Sequence, residues 1–175
     1  VGLGALGASA DAAHKIYGSN LSSSQAIADV QGAIAQTQLD LAVSAIAQDD
    51  ATSDKYTAEF EQDITDVDAA MAAYVASGPA GSAATVGDLQ TKWQTLKTLL
   101  QGPQSQAGDD NDYAQYQKVF DGQVAPVVET ITADLAELTT AEAADAKKSD
   151  EEAAALYSSG RTTILVFIAL GALAA

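Results

Sequence analysis

Few residue types in this sequence are equipped to do chemistry. There is one histidine, His14, and no cysteine, while 24 Asp and Glu stand against 8 Lys and Arg. Without cysteine there is no disulfide framework, thiolate metal site, covalent haem or thiol nucleophile. A di-metal bundle would need Glu-x-x-His pairs on facing helices, and the chain has none. His14 and Met71 are the only pair a haem could use, but Met71 falls on an apolar seam, where packing accounts for it. A Ser-His-Asp relay would have to be built around His14, close to the apolar start of the chain. There is no GxxxxGK[ST] loop and no GxGxxG turn, and Gly2, Gly4 and Gly7 belong to that apolar start.

Carboxylates are the exception. The stretch 49–68 holds eight acids and one lysine, and Asp109, Asp110 and Asp112 form a second acidic group. Such a concentration could attract a hard cation such as Ca²⁺. No twelve-residue calcium loop is present, however, and acids at helix starts are accounted for by the helix dipole. The inventory therefore points away from catalysis, with no cofactor and no metal expected.

The formal net charge of −16 excludes nucleic acid as a partner, because phosphate binding needs basic patches. It likewise argues against a broad basic face for anionic lipid. Ala, Gln, Asp, Thr and Leu are abundant and Pro numbers only 3, a helical composition.

The elements that must carry these residues follow from punctuation and period. Breaks fall at Asp49–Asp54, Ser77–Ala83 and Gly102–Asp112, each rich in Gly, Pro, Asp, Asn or Ser. Ser53 or Asp54 could cap the second helix, Thr85 (with Asp88) the third, and Asp109–Asp112 the fourth. Between the breaks, apolar residues recur at steps of three and four. Tyr56, Phe60, Ile64, Val67, Met71 and Tyr74 mark the second helix, and Val86, Leu89, Trp93, Leu96 and Leu100 the third. Tyr113, Tyr116, Phe120, Val124, Val127, Ile131, Leu135 and Leu138 mark the fourth, with Pro126 expected to kink it or loosen one turn. The first helix has two seams. Ile27, Val30, Ile34 and Leu41 form one; Leu39, Val43 and Ile46 form another beside it, available to a partner subunit or to a wider core stripe. No stretch alternates with period two, so no strand is expected.

The expected fold is all-α: an antiparallel, up-down-up-down four-helix bundle with helices over about 9–48, 54–77, 85–101 and 112–161. At 1.5 Å per residue the outer helices reach roughly 60 and 72 Å, against roughly 30 to 38 Å for the inner pair. The first and last helices therefore extend past the others, with both chain ends at one end. The apolar stretches 1–8 and 162–175 are read as the end of one membrane helix and the start of another, flanking an extracytoplasmic domain over 9–161. Arg161 sits where a basic side chain can reach the interface. Beginning at Val1 and stopping in an apolar run is what a segment of a longer protein would show. The stretch Ala141–Ala155 keeps helix propensity but has no large apolar residue, as a sliding or rotating rod could use.

This layout resembles the four-helix-bundle sensor domain of methyl-accepting chemotaxis proteins. The resemblance spans essentially the whole chain. It rests on the apolar exit VGLGALGA followed by Ile16-Tyr17, the tyrosine-bearing second helix, and the lone tryptophan in LQTKWQTLKTLL. It rests also on the turn AGDDNDYAQY and on the end SSGRTTILVFIALGALAA. It implies a dimeric, non-enzymatic sensor on the outer side of the cytoplasmic membrane. Its task would be to bind a small ligand or a binding protein and pass a helix displacement across the membrane to a cytoplasmic linker and rod. In some members, arginines on the first helix hold an amino-acid carboxylate at the distal dimer interface. Here the only arginine is Arg161, and the first helix has only Lys15. A site in the equivalent place would instead be lined by Thr37, Gln38, Tyr113, Tyr116 and Gln117, with Lys118 the only cation nearby. A neutral or cationic ligand suits that field better than an anion. The alternatives are the same module on a histidine kinase or diguanylate cyclase, or a membrane-anchored structural or interaction bundle without a small ligand.

Overall fold

The computed structural model describes residues 20–173, with side chains through 162. The stretch 1–8, His14 and Lys15 lie outside the described residues, as do the side chains of the terminal apolar run. The described chain is all-α, with four helical rods and no strand. The first is α1, Leu21–Ile46, and the second is α2, Asp50–Ala76. The third comprises α3 (Ala83–Leu99), a π turn at Leu100–Gln104, and the short α4 (Ser105–Asp109). The fourth comprises α5 (Tyr113–Val119), a second π turn at Phe120–Val124, and the 49-residue α6, Ala125–Leu173. Among the described residues no helix is long and apolar enough to cross a membrane.

Helix starts are set by short polar side chains, those of α2 and α3 earlier than expected and that of the last rod within the expected Asp109–Asp112. Asp49, rather than Ser53 or Asp54, caps α2: its carboxylate accepts from Thr52 N and Thr52 Oγ1, both at 2.9 Å. The Thr52 backbone bond, with the hydroxyl bond behind it, holds the Asp49 carboxyl below its ordinary range. Extended backbone at Asp49 is what lets its side chain reach back to those donors. Ser82, rather than Thr85, caps α3, accepting from Thr85 N at 3.1 Å. Between the two, α2 stops at Gly78, whose φ of 72° is costly for any residue with a Cβ, and Pro79 prevents its continuation.

The expected break at Gly102 is not a break. The chain passes Pro103 as a π turn and stays helical to Asp109. Pro103 offers no N–H, and its ring crowds the carbonyl four residues back; widening the turn relieves both. The reversal comes at Asp110–Asp112 instead. There Asn111 takes a left-handed φ of 54°, Asn111 N bonds Gly108 O, and Asp112 N bonds Ala107 O, each at 2.9 Å. Those two bonds satisfy the last free carbonyls of the helix. Asp112 then caps α5 through Gln115 N at 2.9 Å. Pro126 has a loosened turn just before it, the π turn 120–124.

The core is one apolar cluster drawn from all four rods. Its largest buried members are Trp93, Tyr74, Phe60, Leu89, Leu96, Leu100, Ile131 and Leu138. Trp93 donates its indole N–H to Asp68 Oδ1 at 2.6 Å, and Lys97 Nζ reaches Asp68 Oδ2 at 2.7 Å. Burial pushes the Asp68 carboxyl up, but Lys97 and Trp93 together hold it below its ordinary value.

The last helix is fastened to the others along one stretch. Lys92 Nζ bonds both Asp134 oxygens at 2.8 and 2.7 Å. Thr85 Oγ1 donates to Glu137 Oε1 at 2.7 Å. Glu142 is buried and accepts from Tyr74 O–H at 3.0 Å and Ala80 N at 2.8 Å. Burial, with the Glu142 carboxyl behind it, raises the Tyr74 phenol well above its usual value. The loop carrying Ala80 lies so close that a Cβ at Gly81 would run into the Leu138 side chain and the Tyr74 hydroxyl.

Candidate functional site

The two π turns face each other across a cleft of about 230 Å³. Helix α1 contributes Gln38, Leu41 and Ala42, and the first π turn contributes Leu100 and Gln104. Helix α5 adds Tyr116 and Gln117, and the second π turn adds Phe120 and Val124. Every wall except α1 is thus a π turn or the helix leading into one. π turns inside helices recur at functional sites because they re-aim side chains that a regular helix would place elsewhere.

That re-aiming is visible in the last helix. The expected seam ran Tyr113, Tyr116, Phe120, Val124. Instead Val119 faces the core at 1 % exposure, and the next core residue is Val124, five positions on. A step of five is the natural spacing of a π turn. Phe120, at 36 % exposure, is thereby turned out onto the cleft, and Tyr113, at 52 %, stands in solvent.

Of the five residues expected at the site, Gln38, Tyr116 and Gln117 line the cleft, while Thr37 and Tyr113 do not. Thr37 is fully buried, with Oγ1 donating to Ala33 O at 2.8 Å in its own helix. Tyr113 O–H donates to Asn111 Oδ1 at 3.3 Å in the preceding turn. Lys118 is exposed and is not part of the lining.

The cleft is uncharged. Its polar groups are three side-chain amides and one phenol. Gln38 Nε2 donates to Ile34 O at 3.2 Å, and Gln117 Nε2 donates to Asp121 at 2.8 and 2.9 Å. Burial raises the Tyr116 phenol above its ordinary value, and the Gln104 side chain beside it pulls the other way. Gln104 is only 1 % exposed, and its carbonyl Oε1 accepts no hydrogen bond. Buried polar atoms without partners are rare and costly.

Elsewhere α1 and α2 meet through two acids. Asp40 is buried and takes Gln36 Nε2 at 2.9 Å. Asp63 on α2 lies against it, and its Oδ2 is buried without a partner. Burial first, then hydrogen bonding and charge from Asp40, then Asp66 and Glu59, push the Asp63 carboxyl up to about 6. Among the described residues no group of three or more His, Cys, Asp or Glu could hold a metal ion.

Leu41, Ala42, Leu100, Gln104, Phe120 and Val124 were not expected at the site. The available signal was Pro103, inside the first π turn, and Pro126, two residues past the second. With this geometry in place, comparison with known proteins adds one finding: a family model described as Tar ligand binding domain homologue matches residues 1–146. No curated protein and no solved structure matches the chain.

Proposed function

The chain belongs to the family of Tar ligand binding domain homologues, and we propose that it is the extracytoplasmic sensor domain of a bacterial transmembrane chemoreceptor, with the cleft between the two π turns as its ligand site. The family match over residues 1–146 carries this reading. The family is a ligand-binding module, not a catalytic one.

The bundle is antiparallel in this reading. Short connections at 47–49, 77–82 and 110–112 support that, as do polar bonds joining opposite ends of sequence-adjacent helices. Ser44 meets Thr57 at 2.7 Å at one end, and Ser23 meets Ser77 at 2.7 Å at the other. Asn20 Nδ2 donates to Asp145 at 3.2 Å, which supports bringing the first and last helices together toward the membrane. The domain spans 9–161, and 1–8 and 162–175 enter the membrane. The subunit pairs with a second copy through α1, where Leu21, Leu39 and Ile46 stand exposed along the helix. Apolar side chains in such a row seek a partner surface.

In the proposed mechanism a ligand seats against α1 and both π turns and changes the setting of the last helix. Displacement passes along α6 through Glu142–Ala155 toward Arg161. A ligand can drive such a change only if it prefers one arrangement over the other. The test is a hybrid in which this chain is joined to the transmembrane and signalling regions of a chemoreceptor, with kinase output read across a metabolite panel. At least one compound should change output, and Ala42→Trp, which fills the cleft, should abolish the response. Ala146→Pro should abolish it while leaving binding intact. Silence to every compound, or a response indifferent to Ala42→Trp, would reject the cleft as the sensory site.

A further inference from the structure

We infer that Asp40 and Asp63 form a proton-binding site in the α1–α2 seam, through which the acidity outside the cell sets how tightly the first two helices pack and so biases the sensor's output. The effect on output rests on the sensor reading of the chain; the proton site itself rests on the α1–α2 geometry.

The two carboxyls come from different helices and lie within hydrogen-bonding reach of each other. Asp40 is 4 % exposed and holds one donor, Gln36 Nε2 from its own helix at 2.9 Å. Asp63 is half-buried, but its Oδ2 is shielded from water and has no donor. An ionised carboxylate only accepts. Two ionised carboxylates therefore cannot satisfy each other, and a shielded acceptor left unmet is costly. One shared proton supplies the missing donor and removes one of two adjacent charges. The surroundings add to that demand. Glu59, Asp63 and Asp66 follow one another at steps of four and three along α2, so their charges crowd one face. Lys55 stands 3.5 Å from Glu59, and Gln62 Nε2 donates to Asp66 at 2.9 Å. The charges that act on Asp63 itself are all acids: Asp40 from α1, Asp66 and Glu59 from α2. The lysines of the third rod are taken up elsewhere, Lys92 by Asp134 and Lys97 by Asp68. Among the described residues no third acid or histidine joins the pair to hold a metal ion. Burial and these neighbours bring the Asp63 carboxyl to about 6, so the proton is exchanged in mildly acidic water. Below that point the pair shares a proton and bridges the two helices. Above it, like charges face each other across the seam and push it open.

Protons are the probe. In the full chain, the side-chain ¹³C signals of Asp40 and Asp63 are followed from about pH 3 to about pH 8. One step of the pair's titration should fall near pH 6 and be felt by both signals, and Asp40→Asn should return Asp63 toward its ordinary range. Amide exchange over 36–44 and 59–67, corrected for its intrinsic pH dependence, should be roughly tenfold faster above that step than below it. In Asp63→Asn, which stays uncharged, the corrected exchange should not change with pH. In the hybrid receptor, kinase output without added compound should change between about pH 5 and about pH 7. Asp63→Asn should hold it at its acid level throughout, and the comparison cancels any pH response of the cytoplasmic parts. Titration of both carboxyls below about pH 5 would overturn the inference. So would stabilisation by millimolar Ca²⁺ or Mg²⁺ at neutral pH that Asp63→Asn abolishes, which would make the pair a cation site. If output varied with pH equally in parent and Asp63→Asn, in a hybrid that still answered a compound through the cleft, the proton switch would fail and the sensor reading would stand. If the titration came out as expected but the hybrid stayed silent to pH and to every compound, the sensor reading would have failed, and the effect on output with it.

Discussion

Between Asp134 and Glu142 the last helix is tied sideways by Lys92, Thr85, Tyr74 and Ala80 N. Between Gln117 and Val124, among the described residues, its side-chain hydrogen bonds stay within its own helix, from Gln117 to Asp121. The first stretch is regular α-helix with buried partners satisfied; the second includes a π turn and borders a cleft whose lining includes Gln104, with its unpartnered carbonyl. The contrast teaches where this bundle can give. Locally unsatisfied regions open and rearrange at lower cost than well-bonded ones. Movement begun at the cleft would therefore be received by a stretch stiff enough to carry it onward.

The largest expected effect tests the stiff stretch. Glu142→Ala strips the partner from the buried Tyr74 phenol and from the backbone N–H of Ala80 in the adjoining loop. Two such losses should cost about 3 kcal/mol in chemical denaturation. Glu142→Gln keeps an acceptor and should lose much less. A cost under about 1 kcal/mol for the alanine variant would break the comparison, because the stretch would not be fastened there.

A smaller effect sharpens the loose end. The Asp63 carboxyl lies at about 6 in the folded chain against an ordinary 3.8, so the folded state holds its proton more tightly than the unfolded state does. Stability should then fall as pH rises from about 4 to about 6 and level off above that. Asp63→Asn should remove this slope and raise the melting temperature near pH 7 by about 2–4 °C, the shift that roughly 1 kcal/mol gives in a domain of this size. Near pH 4 variant and parent should melt together. A slope that survived the substitution would assign it to another group.

The smallest effect separates binding from folding. Phe120 is turned out onto the cleft, so Phe120→Ala should cost under about 1 kcal/mol, well short of a core phenylalanine. It should nevertheless reduce the hybrid receptor's response to a compound that acts through the cleft. A loss of about 3 kcal/mol would place Phe120 with the core and close the cleft.

The sequence made most of the core legible and less of the cleft. Ile27, Val30, Ile34 and (two turns on) Leu41, Phe60 through Tyr74, and Leu89 through Leu100 keep the helical period because those stretches are regular, and all of these seam positions are buried. The same period failed between Val119 and Val124, where a turn holding one extra residue shifts each earlier side chain around the helix. That shift moved Tyr113 and Phe120 off the core seam. Gln104 was missed for a related reason: Gly102 and Pro103 suggest a loop, and a loop would not bury the residue that follows. Gln38, Tyr116 and Gln117, which the sequence reading groups together, line one cleft because α1 and the start of the last rod both border it. Thr37, although adjacent, points into the core and bonds its own helix. The bonds from Glu142 to Tyr74 and Ala80 join residues far apart in sequence, and no local pattern marks them.

The π turns also bear on how chains of this kind can differ in length. Deletions and insertions usually settle in loops, because loops absorb them without moving a core. A π turn holds a residue that a regular α-helix would not need there. Losing Gly122 would shorten the step from Val119 to Val124 to four and restore an ordinary turn, with the buried faces on both sides still in phase. Relatives one residue shorter inside this helix would then share its core but lack its cleft, so that a difference of one codon would separate two kinds of sensor built on the same bundle.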